Sequence, residues 1–266
     1  MIARDVGPFL FEGNDIGCLL IHGFTNTPHE MRGMGNYLAQ KGLRVVGVLL
    51  AGHGTNPDDL ARTTWHDWVA SAEEGMKKLK GCSHLFLAGI SGGGLITLYL
   101  GLGHPLDGII AMSVPVYLKD WRLRFLPILR HLRPWYRESR CDLTVPQAWA
   151  RYYAPPASYE RKSTAAAMSL MELQGLVRKS LGRINVPVLL IYGARDRTIP
   201  LGNAGYIYER LGSEDKRLLW FENSGHGLVV DSEKQAVWAQ VYEFIIRHTQ
   251  KGGKNAQVAS HRLHHC

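Results

Sequence analysis

Short apolar runs that would be buried on both faces recur along this chain, and a helix-length stretch separates most of them from the next. The runs are IGCLLIH (16–22), RVVGVLL (44–50), HLFLAGI (84–90), DGIIAMSV (107–114), VPVLLIYG (186–193) and KRLLWFEN (216–223). A strand that is apolar on both sides must lie in a sheet covered above and below, and helices between strands make the connections parallel. The expectation is an α/β fold: a mostly parallel sheet with helices on both faces. At 266 residues the chain suffices for one large domain, or for one domain with an insertion. Its 45% hydrophobic and 20% charged residues exclude a coiled coil, collagen and intrinsic disorder.

Helix starts can be read locally. Thr27-Pro28-His29-Glu30 has the form of a capping box with proline at the first helical position. Thr64-Trp65-His66-Asp67 repeats the box with Asp in place of Glu, opening a helix that runs to about Lys80. Further helices are expected over 92–103 and 202–212. A last one starts at Ser232, with Val237, Val241, Phe244 and Ile245 on one face.

The rhythm fails over 117–183. That segment is rich in Trp, Tyr, Arg and Leu, is broken by Pro127, Pro134, Pro146, Pro155 and Pro156, and has no clear strand. It reads as a small helical cap inserted before the strand at 186–193, dividing a core of 1–116 and 184–250. Residues 251–266 have lost all periodicity and read as a disordered tail. The net charge of +8 belongs to the cap, which holds 13 Lys/Arg against 5 Asp/Glu while the rest of the chain balances. In the cap Trp121, Phe125, Leu126, Ile128, Leu129, Leu132, Trp135 and Tyr136 interleave with Arg122, Arg124, Arg130, Arg133 and Arg137. One reading is a lid over an apolar ligand with an arginine fringe making weak contact with lipid interfaces. The plainer reading is an amphipathic helix with a solvated basic face. Nucleic acid is not an expected partner, because the aromatics have a core to fill.

No apolar run approaches the roughly 20 residues that span a bilayer, and the opening MIARDVGPFLFEGND lacks the apolar stretch of a secretory signal. Cys18, Cys82, Cys141 and Cys266 are scattered without C-x-x-C spacing, so a soluble cytoplasmic protein is expected. His261, His264, His265 and Cys266 lack the fixed spacing of a structural metal site. With no P-loop, dinucleotide fingerprint or metal-ligand helix, neither a metal nor a cofactor is expected.

Chemistry concentrates where the strand at 84–90 meets the following helix. Gly89-Ile90-Ser91-Gly92-Gly93 satisfies G-x-S-x-G, and its context is a strand running straight into the serine with a helix starting straight after it. Such a turn strains the serine, admits only glycine two residues before and after it, and lifts the hydroxyl clear of the sheet. A serine nucleophile needs a base, and the base needs a group that holds its tautomer. On this architecture the order is Ser, acid, His, each on a loop after a later strand. Asp196 follows the strand at 186–193, and His226 follows the one at 216–223. Of the 12 histidines only His226 lies beyond the acid on a loop leaving a strand; His248 sits in the last helix. Glu222 and Asp231 are the fallback acids, too close to His226 in sequence for the expected order. The oxyanion donors expected are the N–H of Gly92 and that of Phe24, in the loop His22-Gly23-Phe24-Thr25, with His22 shaping the loop.

These residues resemble a known family. H-G-F-T-x-x-P with Met31-Arg32, G-H-G at 52–54, Trp65 and Trp68, G-x-S-x-G, G-x-x-D-x-x-I-P at 193–200 and S-G-H at 224–226 are similar to the bacterial carboxylesterase and monoacylglycerol lipase branch of the α/β-hydrolases. The resemblance covers residues 9–248, including a last cap helix over about 164–183. It implies the triad Ser91, Asp196 and His226, oxyanion donors Phe24 and Gly92, and hydrolysis of short- to medium-chain esters or monoacylglycerols. One position departs: residue 92 is Gly where this branch usually carries Leu or Met, so a roomier pocket floor is expected beside the nucleophile. Ser91 excludes the haloalkane dehalogenases and epoxide hydrolases, which need a carboxylate nucleophile, and the dienelactone hydrolases, which need a cysteine. Carbon–carbon bond hydrolases and perhydrolases share the Ser–Asp–His set and stay open, the carbon–carbon bond hydrolases as the alternative. A ligand receptor built on the same fold is the non-enzymatic rival.

Overall fold

A computed structural model describes residues 6–118, 134–137 and 161–261. Seven strands form one sheet: β1 (Phe9–Phe11), β2 (Ile16–Ile21), β3 (Arg44–Val48), β4 (His84–Ile90), β5 (Gly108–Met112), β8 (Val188–Gly193) and β9 (Lys216–Phe221). Their spatial order is β1-β3-β2-β4-β5-β8-β9. Every pairing is parallel except β1 with β3, which is antiparallel. The six runs read from the sequence are the six parallel strands. The edge strand β1 escaped that reading because three residues are too few to show an alternation.

Period-two alternation divides each central strand between two cores. Leu19, Ile21, Leu87, Ile109, Ala111, Leu190 and Tyr192 face one side, where α3 (Trp65–Lys77), α4 (Gly92–Leu100), α5 (Thr164–Ser180) and α6 (Gly202–Arg210) cover them. Cys18, Leu20, Phe86, Ala88, Ile110, Met112, Leu189 and Ile191 face the other, under α1 (His29–Gln40) and α7 (Lys234–His261). The α7 face named from its periodicity, Val237, Val241, Phe244 and Ile245, is fully buried. Burying such a side chain contributes about 1.5–3 kcal/mol, which is why a stripe of four positions defines the helix.

The box at Thr64 forms as read, with Asp67 Oδ2 accepting from the Thr64 N–H at 2.8 Å. The box at Thr27 does not form: α1 is capped at Pro28 without a side-chain bond, and the Glu30 carboxylate goes elsewhere. A short helix α2 (Pro57–Ala61), capped by Asn56, was not read from the sequence.

In the cap segment the described residues hold a two-stranded antiparallel ribbon, β6 (Trp135–Arg137) with β7 (Arg161–Ser163), where no strand was expected. Three residues a side give periodicity nothing to work on. The Arg161 guanidinium stacks 4.1 Å from the centre of the Trp135 ring. From the ribbon the chain enters α5, which lies over the span expected to hold a last cap helix and packs on α3 and α4. The apolar and arginine set at 121–133 lies outside the described residues. At the other end, the α7 backbone continues to His261, where a disordered tail was read from residue 251. Lys, Gln, Ala and Val there are compatible with continuing a helix already nucleated.

The chain leaves β2 for α1 on one face and leaves β4 for α4 on the other. The connections after these adjacent strands therefore leave on opposite faces, which puts the topological switch point, where open α/β sheets place their ligands, at the carboxyl ends of β2 and β4.

Candidate active site

Ser91 ends β4 with φ 54° and ψ −116°, a conformation that a residue with a β-carbon rarely adopts. Its surroundings hold it there. Its N–H donates to Met112 O at 2.8 Å, and its carbonyl accepts from the Leu95 N–H as α4 begins. The flanking glycines are steric necessities, as expected from the motif. A β-carbon on Gly89 would lie 2.3 Å from Gly93 O, and one on Gly93 would lie 2.3 Å from Ile21 O. The turn packs directly against the end of β2, which brings the loop after β2 beside the serine.

The structure brings Ser91, His226 and Asp196 together from three loops. His226 Nε2 lies 3.0 Å from Ser91 Oγ, and His226 Nδ1 lies 2.7 Å from Asp196 Oδ2. A carboxylate only accepts, so Nδ1 carries the proton and donates to Asp196, leaving Nε2 to accept from the serine hydroxyl. The Asp196 side chain is fully buried while that of His226 is 21% exposed, so the base meets solvent and its orienting acid does not. Asp196 Oδ1 is held by the N–H groups of Thr198 and Ile199, at 2.8 and 3.1 Å. Arg195 bonds Asn223 instead of the acid.

The two fallback acids do not reach the ring. Glu222 is exposed. Asp231 accepts from the Gly225 N–H at 2.6 Å, supporting the loop rather than the imidazole. That loop has further ties that no sequence pattern announced: Ser113 Oγ donates to His226 O at 3.0 Å, and Glu233 accepts from Ser224 Oγ at 2.7 Å. Ser113 itself has φ 46°.

Whether Phe24 can serve as the expected second oxyanion donor depends on which way one peptide unit faces. The Leu50 N–H donates to His22 Nε2 at 3.2 Å. His22 therefore carries its proton on Nδ1, which donates to Gly23 O at 2.9 Å. The Asn26 N–H donates to the same carbonyl at 3.1 Å. In a planar trans peptide C=O and N–H point in opposite directions, so two donors holding Gly23 O turn the Phe24 N–H the other way. Burial, helped by the neighbouring His53, keeps the His22 pKa well below its usual value, so the ring stays a neutral positioning group. Thr25 completes the loop at φ 67°.

A β-carbon on Gly92 would meet Phe24 Cβ at 3.0 Å and Phe24 N at 3.1 Å. The sequence suggested a roomier floor beside the nucleophile; the absent side chain leaves none, because Phe24 occupies the space. Glycine lets the backbone and β-carbon of Phe24 come close to residue 92. Phe24 packs in turn on Trp68 and on His53 of G-H-G, with ring centroids 5.4 and 6.0 Å away. His53 is 2% exposed, and burial pushes its pKa down to about 4.

Among the described residues no His, Cys, Asp or Glu group has metal-ligand geometry. A surface groove between α1 and α7, lined by Gly33, Asn36, Tyr37, Gln40, Gln235 and Trp238, contains none of these site residues.

Comparison with known proteins bears on this geometry. Residues 15–233 match the family described as serine aminopeptidase, S33. A thermostable monoacylglycerol lipase from Bacillus sp. (strain H-257) is 35% identical over 244 residues, which are 91% of this chain and 94% of that protein. A carboxylesterase from Bacillus subtilis (strain 168) is 30% identical over 241 residues, 90% of this chain and 95% of that protein. Among solved structures, one of the metagenome-derived lipolytic enzymes LipS and LipT superposes with a TM-score of 0.85 at 28% identity, covering 93% of this chain and all of that one.

Proposed function

We propose that this chain, which belongs to the bacterial carboxylesterase and monoacylglycerol lipase family of the α/β-hydrolases, cleaves short- to medium-chain carboxylic esters or monoacylglycerols through an acyl-enzyme on Ser91. It is a carboxylic ester hydrolase, and its substrate is a small ester. The observation that carries the serine mechanism is the hydrogen-bonded series Ser91–His226–Asp196, with Phe24 packed close against Gly92 beside it.

In this mechanism Ser91 Oγ attacks the ester carbonyl carbon as its proton passes to His226 Nε2. Asp196 holds the ring and stabilises the imidazolium. The carbonyl oxygen becomes an oxyanion that accepts hydrogen bonds from the Phe24 and Gly92 amides. Losing one such donor typically raises the barrier by about 3 kcal/mol. Collapse breaks the bond to the alcohol oxygen, which leaves with the proton from His226. A water then gives a proton to His226 and attacks the acyl carbon. Ser91 departs with that proton and the carboxylic acid is released. Because only unprotonated Nε2 can accept, activity falls as pH drops through the His226 pKa.

The cap over 117–183 covers the acyl chain in this reading, and its arginines make at most weak contact with lipid interfaces. A cytoplasmic location is part of the proposal; its support is the scatter of the cysteines, of which Cys18 and Cys82 are unpaired. The test is turnover of a p-nitrophenyl ester series from acetate to palmitate beside 1-monoacylglycerols of the same chains. An optimum at short or middle length, abolished by fluorophosphonate labelling of Ser91, is expected. Slow turnover at every length with Ser91 still labelled would reject ester substrates and direct attention to vinylogous diketones.

A further inference from the structure

The loop that carries the Phe24 amide is tied down by a residue for which the mechanism above has no use. Glu30 lies in the first turn of α1 and is 4% exposed. Its Oε2 accepts from the Gly23 N–H at 2.8 Å, and its Oε1 accepts from Asn26 Nδ2 at 2.7 Å. A carboxylate taken out of water is destabilised unless hydrogen bonds satisfy it. Here two charge-assisted bonds and the positive end of α1 provide that. Both donors belong to the loop, one on each side of Phe24. The Asn26 N–H also closes back on Gly23 O, the carbonyl of the peptide unit that bears the Phe24 N–H.

We propose that Glu30 is a positioning residue for the oxyanion hole: by holding Gly23 N–H and the Asn26 side chain, it fixes the Gly23–Phe24 peptide with its N–H beside Gly92 and Ser91. The proposal rests on the ester-hydrolase reading of the same site. Two observations say that the loop needs such a tie. Thr25, between the two anchored residues, is held at φ 67°, from which an untied loop would relax. And Gly23 sits against both the carboxylate and the nucleophile, since a β-carbon there would lie 3.3 Å from Glu30 Oε2 and 3.6 Å from Ser91 Cβ. A hole donor works only within about 2.7–3.1 Å of the oxyanion, so a small drift of this loop is felt in the transition state and little in the bound ester.

The experiment reads kcat and KM for p-nitrophenyl butyrate with the full-length protein, and inhibition by an alkyl trifluoromethyl ketone, which becomes a tetrahedral oxyanion on Ser91. Glu30→Ala is expected to lower kcat about 10- to 100-fold, short of losing a hole donor outright. KM should stay within about twofold, and the ketone should weaken by the factor lost in kcat. Glu30→Gln keeps an acceptor for Gly23 N–H and should recover most of the loss. Asn26→Ala should lower kcat less, and adding it to Glu30→Ala should do little more, because both act through one network. If the alanine variant does not fold, Glu30→Asp, one methylene too short to reach Gly23, carries the same expectation. An unchanged kcat in the alanine or aspartate variant would overturn the proposal, as would a raised KM at constant kcat or a glutamine variant as slow as alanine. Failure of the parent protein to hydrolyse the ester would count against the ester reading instead. The tie would then be judged by the rate at which a fluorophosphonate labels Ser91, which needs the same hole.

Discussion

Ser91 is kept in its strained conformation by neighbours that leave no room for anything but glycine. Gly93→Ala would put a β-carbon 2.3 Å from one backbone carbonyl oxygen and 2.5 Å from another, and backbone cannot swing aside as a side-chain tip can. Overpacking of this kind costs about 1–3 kcal/mol or more; a lowered melting temperature together with lost turnover is the expected outcome, read by calorimetry and ester hydrolysis. Gly92→Ala is milder, because its contacts with Phe24 fall at 3.0 and 3.1 Å. The Phe24 loop is held by His22, Asn26 and Glu30 and cannot readily give way, so kcat should fall with little change in KM or melting temperature. Asp196→Asn replaces a fully buried acceptor of the His226 proton by a group that can present N–H instead. The wrong tautomer then leaves Nε2 unable to accept from Ser91, and kcat should fall by about 10⁴. A loss under tenfold would mean that Asp196 does not hold the base.

At the scale of elements, what could be read in advance followed from whether a feature's cause was local. Buried strands announce themselves by composition, and β2, β4 and β8 lie where their apolar runs placed them; β9 is also where its run placed it, but as the edge strand it is only half-buried. The Thr64 box was legible because both its bonds close within three residues. Asp67→Ala should therefore lower stability by about 1 kcal/mol, seen as a lower melting temperature with kcat unchanged. Glu30 stands at the same spacing from Thr27, yet its carboxylate reaches Gly23 and Asn26 on the loop before the helix. No spacing rule separates these outcomes, since the competing partner exists only once β2 and α1 are packed. The same holds for Ser113, whose bond to His226 O joins residues 113 positions apart. The candidate site residues on strand-end loops could be named in advance because their order follows from topology. The ties behind them were not.

Across the whole molecule, two buried histidines, His22 and His53, link stability to pH. His53 has its pKa pushed down to about 4, and that of His22 is also lowered. In the unfolded chain both titrate near 6.5. A folded pKa depressed below the unfolded one means that the unfolded state binds more protons between the two values, so stability is present above about pH 6.5 and is lost as pH falls toward 4. For His53 alone the loss is about 3 kcal/mol. Thermal melting from pH 7.5 to 4.5 should show this decline, and His53→Gln should flatten it; an unchanged slope would show that His53 is not its source. The loops after β2, β4, β8 and β9 bring Phe24, Ser91, Asp196 and His226 to the carboxyl end of the sheet. The measurement that tests this account most directly is p-nitrophenyl butyrate hydrolysis by Ser91→Ala beside the parent protein, with folding verified by matching melting temperatures. A fall of about 10⁶ in kcat is expected, the loss usual for a triad serine. A variant that kept a tenth or more of the parent rate would contradict it.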